Sequence, residues 1–344
     1  MAKTASAKAA KKERIFYTKA KELDLPNLVD HQKKSFQWFV DEGLGELFAE
    51  VSPIDDYTGT KLSIRFKQYH FEDPKLTEQE ARENNVSFEA PLKATLELTN
   101  KITGEVKEQE IYLGDYPWMT ERGTFVINGA ERVVVSQLIR SPGVFFTAEA
   151  GSSHRQYGAK VIPGRGAWLE FETAANGAIY VKIDRKRKIT VTTLLRALGM
   201  SDAEVKDAFS KVDTGKVSYL TATLEKDPAK GVNESLIEVY RRIRPGDLAT
   251  VDNAKSLIEN MFFNYKRFDF SRVGRYKINK RLEIDIANTA ENRVMRIEDL
   301  VAVIAEIIRL NNTQEPADDI DSLANRRVKL VGELVQRQFR IGLL

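Results

Sequence analysis

The sequence predicts an α+β protein of two domains, built from mostly antiparallel sheets with peripheral helices. Three observations carry that reading. Apolar residues alternate with polar ones in short runs, as at Leu62, Ile64 and Phe66 and at Leu92, Ala94, Leu96 and Leu98, which is the period of a half-buried strand. Asn128-Gly129 and Asn176-Gly177 sit between such runs, and Asn-Gly is the strongest short hairpin signal. Helical periodicity is confined to other stretches, above all 297–310, where Leu300, Ile304, Ile307 and Ile308 share a face. A length of 344 residues suits two domains.

Along the chain, residues 1–14 are small and basic and read as a tail. A helix follows over 28–39, with Asp30 placed to cap it. Residues 61–71 form a strand. Thr77 and Glu80 form a capping box before a short polar helix. Strands at 92–98 and 106–113 turn at Thr103-Gly104, and 123–127 and 132–139 pair across Asn128-Gly129. Ser141-Pro142-Gly143 ends this block. A second block opens near Gly151, with strands at 167–171 and 179–183. A helix over 192–198 ends at Gly199, and Ser201 with Glu204 caps the next one. Pro245-Gly246 breaks the chain before a helix at 254–263. After the helix at 297–310, Asp318, Asp319 and Asp321 precede a last helical stretch carrying Val328, Val331, Leu334, Val335 and Phe339. The sequence stops at Leu344 without a cap, as the N-terminal piece of a longer chain would.

Composition excludes several function classes. There is no cysteine, hence no disulfide framework, thiolate zinc site, iron–sulfur cluster or cysteine nucleophile. Three histidines lie far apart, at 31, 70 and 154. No apolar run is long enough to span a membrane, and the basic N-terminus lacks the apolar core of a secretory signal, so a cytoplasmic protein is expected. No P-loop, dinucleotide fingerprint or nucleophile elbow occurs. The carboxylates at 318–321 invite a metal reading, but Arg326 and Arg327 follow closely, and helix capping is the simpler role. No self-contained active site is expected.

Charge points to nucleic acid only locally. The chain has 53 basic and 50 acidic residues, net +3. KIDRKRK at 182–188 carries five positives and one negative, and 265–281 carries seven against one, interleaved with Tyr265, Phe268, Phe270 and Tyr276. Arg241, Arg242 and Arg244 form a third cluster, and Arg326, Arg327, Lys329, Arg337 and Arg340 line the last helical stretch. Clustered cations bind phosphates, and interleaved aromatics suit single strands.

Several segments in collinear order resemble one family. They are GTFVINGAERVVVSQLIRSPGVFF at 123–146, GRGAWLEF at 164–171, KIDRKRK at 182–188, TLLRAL at 193–198, RPGD at 244–247, RVGRYKIN at 272–279 and DDIDSLANRR at 318–327. Together they resemble the bacterial RNA polymerase β subunit, and the likeness runs from about residue 26 to 344.

That resemblance implies a basic tail at 1–25, a protrusion at 26–145, a lobe at 146–320 and a truncated return into the protrusion at 321–344. It implies a subunit of a DNA-directed RNA polymerase, a nucleotidyltransferase that binds ribonucleosides, with this piece forming one jaw of the DNA channel and inactive alone. The rival reading is a free-standing nucleic-acid-binding or factor-docking module. Implied partners are the α, β′ and ω subunits, sigma factor, DNA and transcription factors, in the nucleoid-associated cytoplasm and with no membrane. Magnesium is expected on β′, so no cofactor or metal belongs to this piece. The family's pocket for the unpaired non-template strand maps onto Trp168, Asp184, Arg185, Asp321 and Arg326, of which Trp168, Asp321 and Arg326 are expected to converge on one accessible pocket at the protrusion–lobe junction. Factor docking maps onto Val106, Lys107 and Glu108, and a small part of the rifamycin pocket onto Val144.

Overall fold

The computed structural model describes residues 26–150 and 155–343. The basic tail, the turn near Gly151 and Leu344 lie outside the described residues. In chain order, α1 (Asp30–Trp38) runs through a π-helical turn at Phe39–Gly43 into α2 (Leu44–Val51). There follow β1 (Ile54–Asp55), β2 (Leu62–Phe71), α3 (Glu78–Glu83), β3 (Glu89–Asn100), β4 (Val106–Pro117), and the small hairpin β5 (Phe125–Ile127) and β6 (Ala130–Arg132). Next come β7 (Gln137–Arg140), β8 (Gly143–Ala150), β9 (Arg155–Ile162), β10 (Leu169–Thr173), β11 (Ile179–Ile183) and β12 (Ile189–Thr190). Helices α4 (Val191–Ala197), α5 (Asp202–Phe209), α6 (Tyr219–Glu225), α7 (Val232–Ile243), α8 (Val251–Ile258), α9 (Ser271–Leu282) and α10 (Ile297–Thr313) follow, and the chain closes with β13 (Arg326–Lys329) and α11 (Val331–Leu343). The class is α+β.

The chain folds into two compact units. The first comprises the residues through Val135 and those from Leu330 onward. Its sheet has the order β1-β2-β3-β4, antiparallel throughout. Strand β2 does not keep one alternation from end to end. A bulge between Phe66 and Gln68 inserts Lys67, so Phe66 and Tyr69 come to the same face. Both meet Phe48 of α2, with ring centroids 4.5 and 5.4 Å away. Phe36, Phe39, Leu44, Leu92, Phe125 and Val331 complete this buried cluster, and each such side chain contributes roughly 1.5–3 kcal/mol by leaving water. The capping box of Thr77 and Glu80 forms as the sequence requires.

The second unit is Ser136–Lys329. Its sheet has the order β12-β11-β10-β9-β8, again antiparallel, and β7 pairs with β13 as a separate ribbon. Ile304, Ile307 and Ile308 of α10 bury into the core with Tyr157, Leu169 and Val181 of the sheet. The Ser201–Glu204 capping box is present. Gly199 takes a left-handed φ of 101° just after α4, as a helix-terminating glycine does.

Three local expectations differ from the structure. Asp30 does not cap α1. Its N-cap is Val29, and Asp30 in the first turn pairs with Lys34 at 2.5 Å. The β-branched run after Arg132 is not strand at 133–136, and the division between the units falls within it. The acidic run at 318–321 caps no helix, since 326–329 is strand β13. Pairing with β7 overrides the helical apolar spacing there, so Arg326, Arg327 and Lys329 lie on a strand. The two units divide at 135/136 and 329/330, and the β7–β13 ladder joins the two ends of the second unit.

Candidate nucleic-acid interface

Trp168 sits at the entry to β10, in a loop fixed by its neighbours. Arg165 and Asp269 exchange backbone hydrogen bonds of 3.0 and 2.9 Å. Gly166 has φ 113°, and a Cβ there would lie 2.7 Å from the Phe268 ring, so only glycine lets the loop close onto this segment. Arg165 points inward, donating to the Tyr265 carbonyl at 3.0 Å, and burial lowers its pKa. Trp168 itself is half-buried. Its ring is neither sealed in the core nor free.

Asp184 and Arg185 come to Trp168 through the turn after β11. The Asp184 amide donates to the Trp168 carbonyl at 2.9 Å. Both residues adopt positive φ, 49° and 58°, and the Lys186 amide donates back to Ile183 at 3.0 Å. This is a tight hairpin turn that ordinarily takes Asn and Gly, so non-glycine residues here store strain of order 1–3 kcal/mol each. This turn sets the Arg185 guanidinium 5.5 Å over the Trp168 ring. Of the KIDRKRK cations, Lys182 and Lys188 pair with Glu172 at 2.5 and 3.0 Å. Arg185, Lys186 and Arg187 are exposed and have no acidic partner among the described residues.

Asp321 and Arg326 form their own pair, 3.7 Å apart. The remaining acids of that run serve the protein. Asp318 accepts from the Phe146 amide at 2.8 Å and from Arg281 at 3.3 Å. Asp319 accepts from the amides of Asp321 and Ser322 at 3.0 and 3.1 Å. Among the described residues no group of three candidate ligands is placed to hold a metal ion.

Strand register brings the two clusters to one end of the sheet. Leu169 pairs with Val161, and Val161 with Val144, so Leu169 lies two interstrand steps, about 10 Å, from Val144. Ile183, just before Asp184, faces Leu169. Arg326 faces Arg140, four residues before Val144, and the Ser141 amide donates to Asn325 at 2.9 Å. All five residues therefore belong to the second unit, at the edge where β8 and β10 begin. No hydrogen bond, ion pair or ring contact joins Trp168 to Asp321 or Arg326 among the described residues.

The other sequence-marked residues lie apart. Val144 is 4 % exposed and packs in the core of the second unit, so its side chain presents no open surface here. Val106, Lys107 and Glu108 lie exposed on β4, the edge strand of the first unit. Their Cα partners on β3 are Thr99, Leu98 and Glu97, and Glu108 also pairs with Lys67.

Comparison with known proteins assigns the fold. The family described as RNA polymerase Rpb2, domain 2, matches residues 140–329, nearly the whole second unit. The chain belongs to this family. It is also 47 % identical over 364 residues to the DNA-directed RNA polymerase subunit beta of Chloroflexus aggregans, covering 96 % of this chain and 30 % of that protein. The same-named subunit of Syntrophomonas wolfei is 48 % identical over 334 residues, covering 96 % of this chain and 29 % of that protein. The Dehalococcoides mccartyi subunit is 47 % identical over 328 residues, covering 94 % and 26 %. The chain thus spans less than a third of the length of the curated relatives it matches. Within the family match lie Trp168, the turn at 184–185 and the pair Asp321–Arg326. From the residues alone the sequence marked 182–188 and Arg326 only as basic clusters and Asp321 only as part of an acidic run; it joined them to Trp168 through likeness.

Proposed function

We propose that this chain is the N-terminal part of the β subunit of a DNA-directed RNA polymerase, and that its second unit holds unpaired non-template DNA as one jaw of the DNA channel. The observation that carries the reading is the half-buried Trp168 ring under Arg185, in a turn whose exposed cations Arg185, Lys186 and Arg187 have no acidic partner among the described residues. A tryptophan face stacks on any base, and cations in a cluster hold the phosphates on either side. Asp321 and Arg326 at the same sheet end supply an acceptor and a donor for base edges. In this reading the chemistry of nucleotide transfer, with its magnesium, belongs to the β′ subunit, and α, ω and sigma factor complete the enzyme in the nucleoid. Among the described residues no helix is long and apolar enough to cross a membrane. The exposed edge of β4 around Val106–Glu108 offers backbone donors and acceptors to an added strand, the mode by which a transcription factor would dock.

The test is made in the assembled enzyme. A photo-crosslinking residue substituted at Trp168 attaches to the non-template strand of an open transcription bubble and not to the template strand. Attachment to the template strand, or to no DNA, refutes the reading.

A further inference from the structure

The basic segment 265–281 carries seven cations, and the structure divides them by use. Arg275 is fully buried against Asp299. Arg281 pairs with Glu306 at 2.9 Å and Asp318 at 3.3 Å. Lys277 donates to the Ala324 carbonyl at 3.1 Å. These three anchor α9 to the unit. The other four, Lys266, Arg267, Arg272 and Lys280, are exposed and have no acidic partner among the described residues. The aromatics divide in the same way. Phe268 and Phe270 are wholly buried, and Tyr265 lies beneath Arg165 and Arg293. Tyr276 alone of the four is open, at 61 % exposure.

Helix geometry orders what is left. Arg272, Tyr276 and Lys280 follow one another at intervals of four on α9, so they form one stripe with about 6 Å of rise between neighbours. The stripe alternates cation, ring and cation. It is anchored from behind by the Arg275–Asp299 pair, and Gly274 beside it is buried against Pro142. Its first turn abuts the Trp168 loop: a Cβ on Gly164 would lie 3.1 Å from the Ser271 side chain. A solvated helix face does not need an open aromatic between its charges. A phosphate-binding face for duplex DNA does not need one either, since duplex bases are stacked on each other. The combination fits a strand whose bases are free to stack on protein and whose phosphates flank them.

We infer that the outward stripe Arg272–Tyr276–Lys280 of α9 is a second single-strand contact, carrying an unpaired nucleic-acid strand onward from the Trp168 loop. The inference rests on the reading of the second unit as a surface for unpaired DNA. Tyr276 takes a base on its ring, and Arg272 and Lys280 take the phosphates to either side.

Binding of a labelled oligothymidylate to the 344-residue chain, by fluorescence anisotropy across a salt series, tests it. Tyr276→Ala lowers affinity roughly 5- to 150-fold, and Tyr276→Trp preserves it. The double variant Arg272→Ala/Lys280→Ala flattens the salt slope by about 1.4, from about 0.7 per phosphate contact. Circular dichroism melts matching the parent chain show that these surface variants are folded. Variants at 272, 276 and 280 that bind as the parent does, with Trp168→Ala weakened, overturn this inference and leave the wider reading standing. Parent chain that binds no oligothymidylate even at low salt overturns both. Duplex that competes as well as single strand, with Tyr276→Ala silent, overturns the single-strand assignment.

Discussion

Replacing Arg275 with Met severs the strongest internal anchor of α9, and the cost follows from the geometry. The Arg275 side chain has no solvent exposure, and its partner Asp299 is 3 % exposed. Two hydrogen bonds of 2.6 and 2.9 Å join guanidinium and carboxylate, and a third of 2.9 Å reaches the Val294 carbonyl. The guanidinium also lies 5.0 Å over the Phe270 ring. Methionine keeps most of the volume but leaves Asp299 charged, buried and unpaired, and removing one partner of such a pair costs about 3–5 kcal/mol. In a unit of this size that lowers the midpoint of thermal unfolding by roughly 6–20 °C. Adding Asp299→Leu recovers most of the loss, because no lone charge then remains. Recovery stops about 1 kcal/mol short, since Asp299 also accepts from the Arg296 amide at 3.2 Å, at the start of α10. Calorimetry of the three variants reads this directly. A single variant that melts with the parent chain refutes the lone-charge argument. A double variant no more stable than the single one assigns the cost to lost packing instead.

Three further outcomes follow from other sites. Trp168→Ala lowers single-strand affinity by about 1–3 kcal/mol while costing little stability; a loss of about 3–5 kcal/mol in unfolding experiments instead marks the ring as core. Gly332→Ala destabilises the first unit by about 1–3 kcal/mol or more, because the new Cβ would lie 2.0 Å from the Ser35 carbonyl oxygen; an unchanged melt refutes that close approach. Desolvation raises the Glu172 pKa, but hydrogen bonds from Lys182 and Lys188 outweigh it and hold the carboxyl below its ordinary 4.5. The stabilising contribution is therefore present above that value and lost as pH falls through the lower, folded one. The stability gap between the parent chain and Glu172→Gln should shrink on acidification below 4.5, and a gap that widens reverses the sign.

The sequence alone determined the features that depend on neighbours along the chain. The Thr77 and Ser201 capping boxes, the Asn-Gly hairpin turns, the left-handed glycine after α4 and the apolar face of α10 all follow from side chains a few residues apart, and each is present. The α+β class follows from the same local periodicities. Tertiary structure decided what depends on residues far apart. Val328 has helical spacing with Val331 and Val335, yet it pairs with Leu138 in a ribbon, because a strand 190 positions away supplies hydrogen bonds that local propensity cannot foresee. The seven cations of 265–281 are indistinguishable as a charge run, and only packing divides them into anchors and an open stripe. Trp168 shows the same limit. Its neighbours in sequence favour a core tryptophan over a platform, and the turn that lays Arg185 across its ring comes from the end of another strand. A functional surface is a set of side chains left without internal partners, and partners are assigned only when distant segments meet.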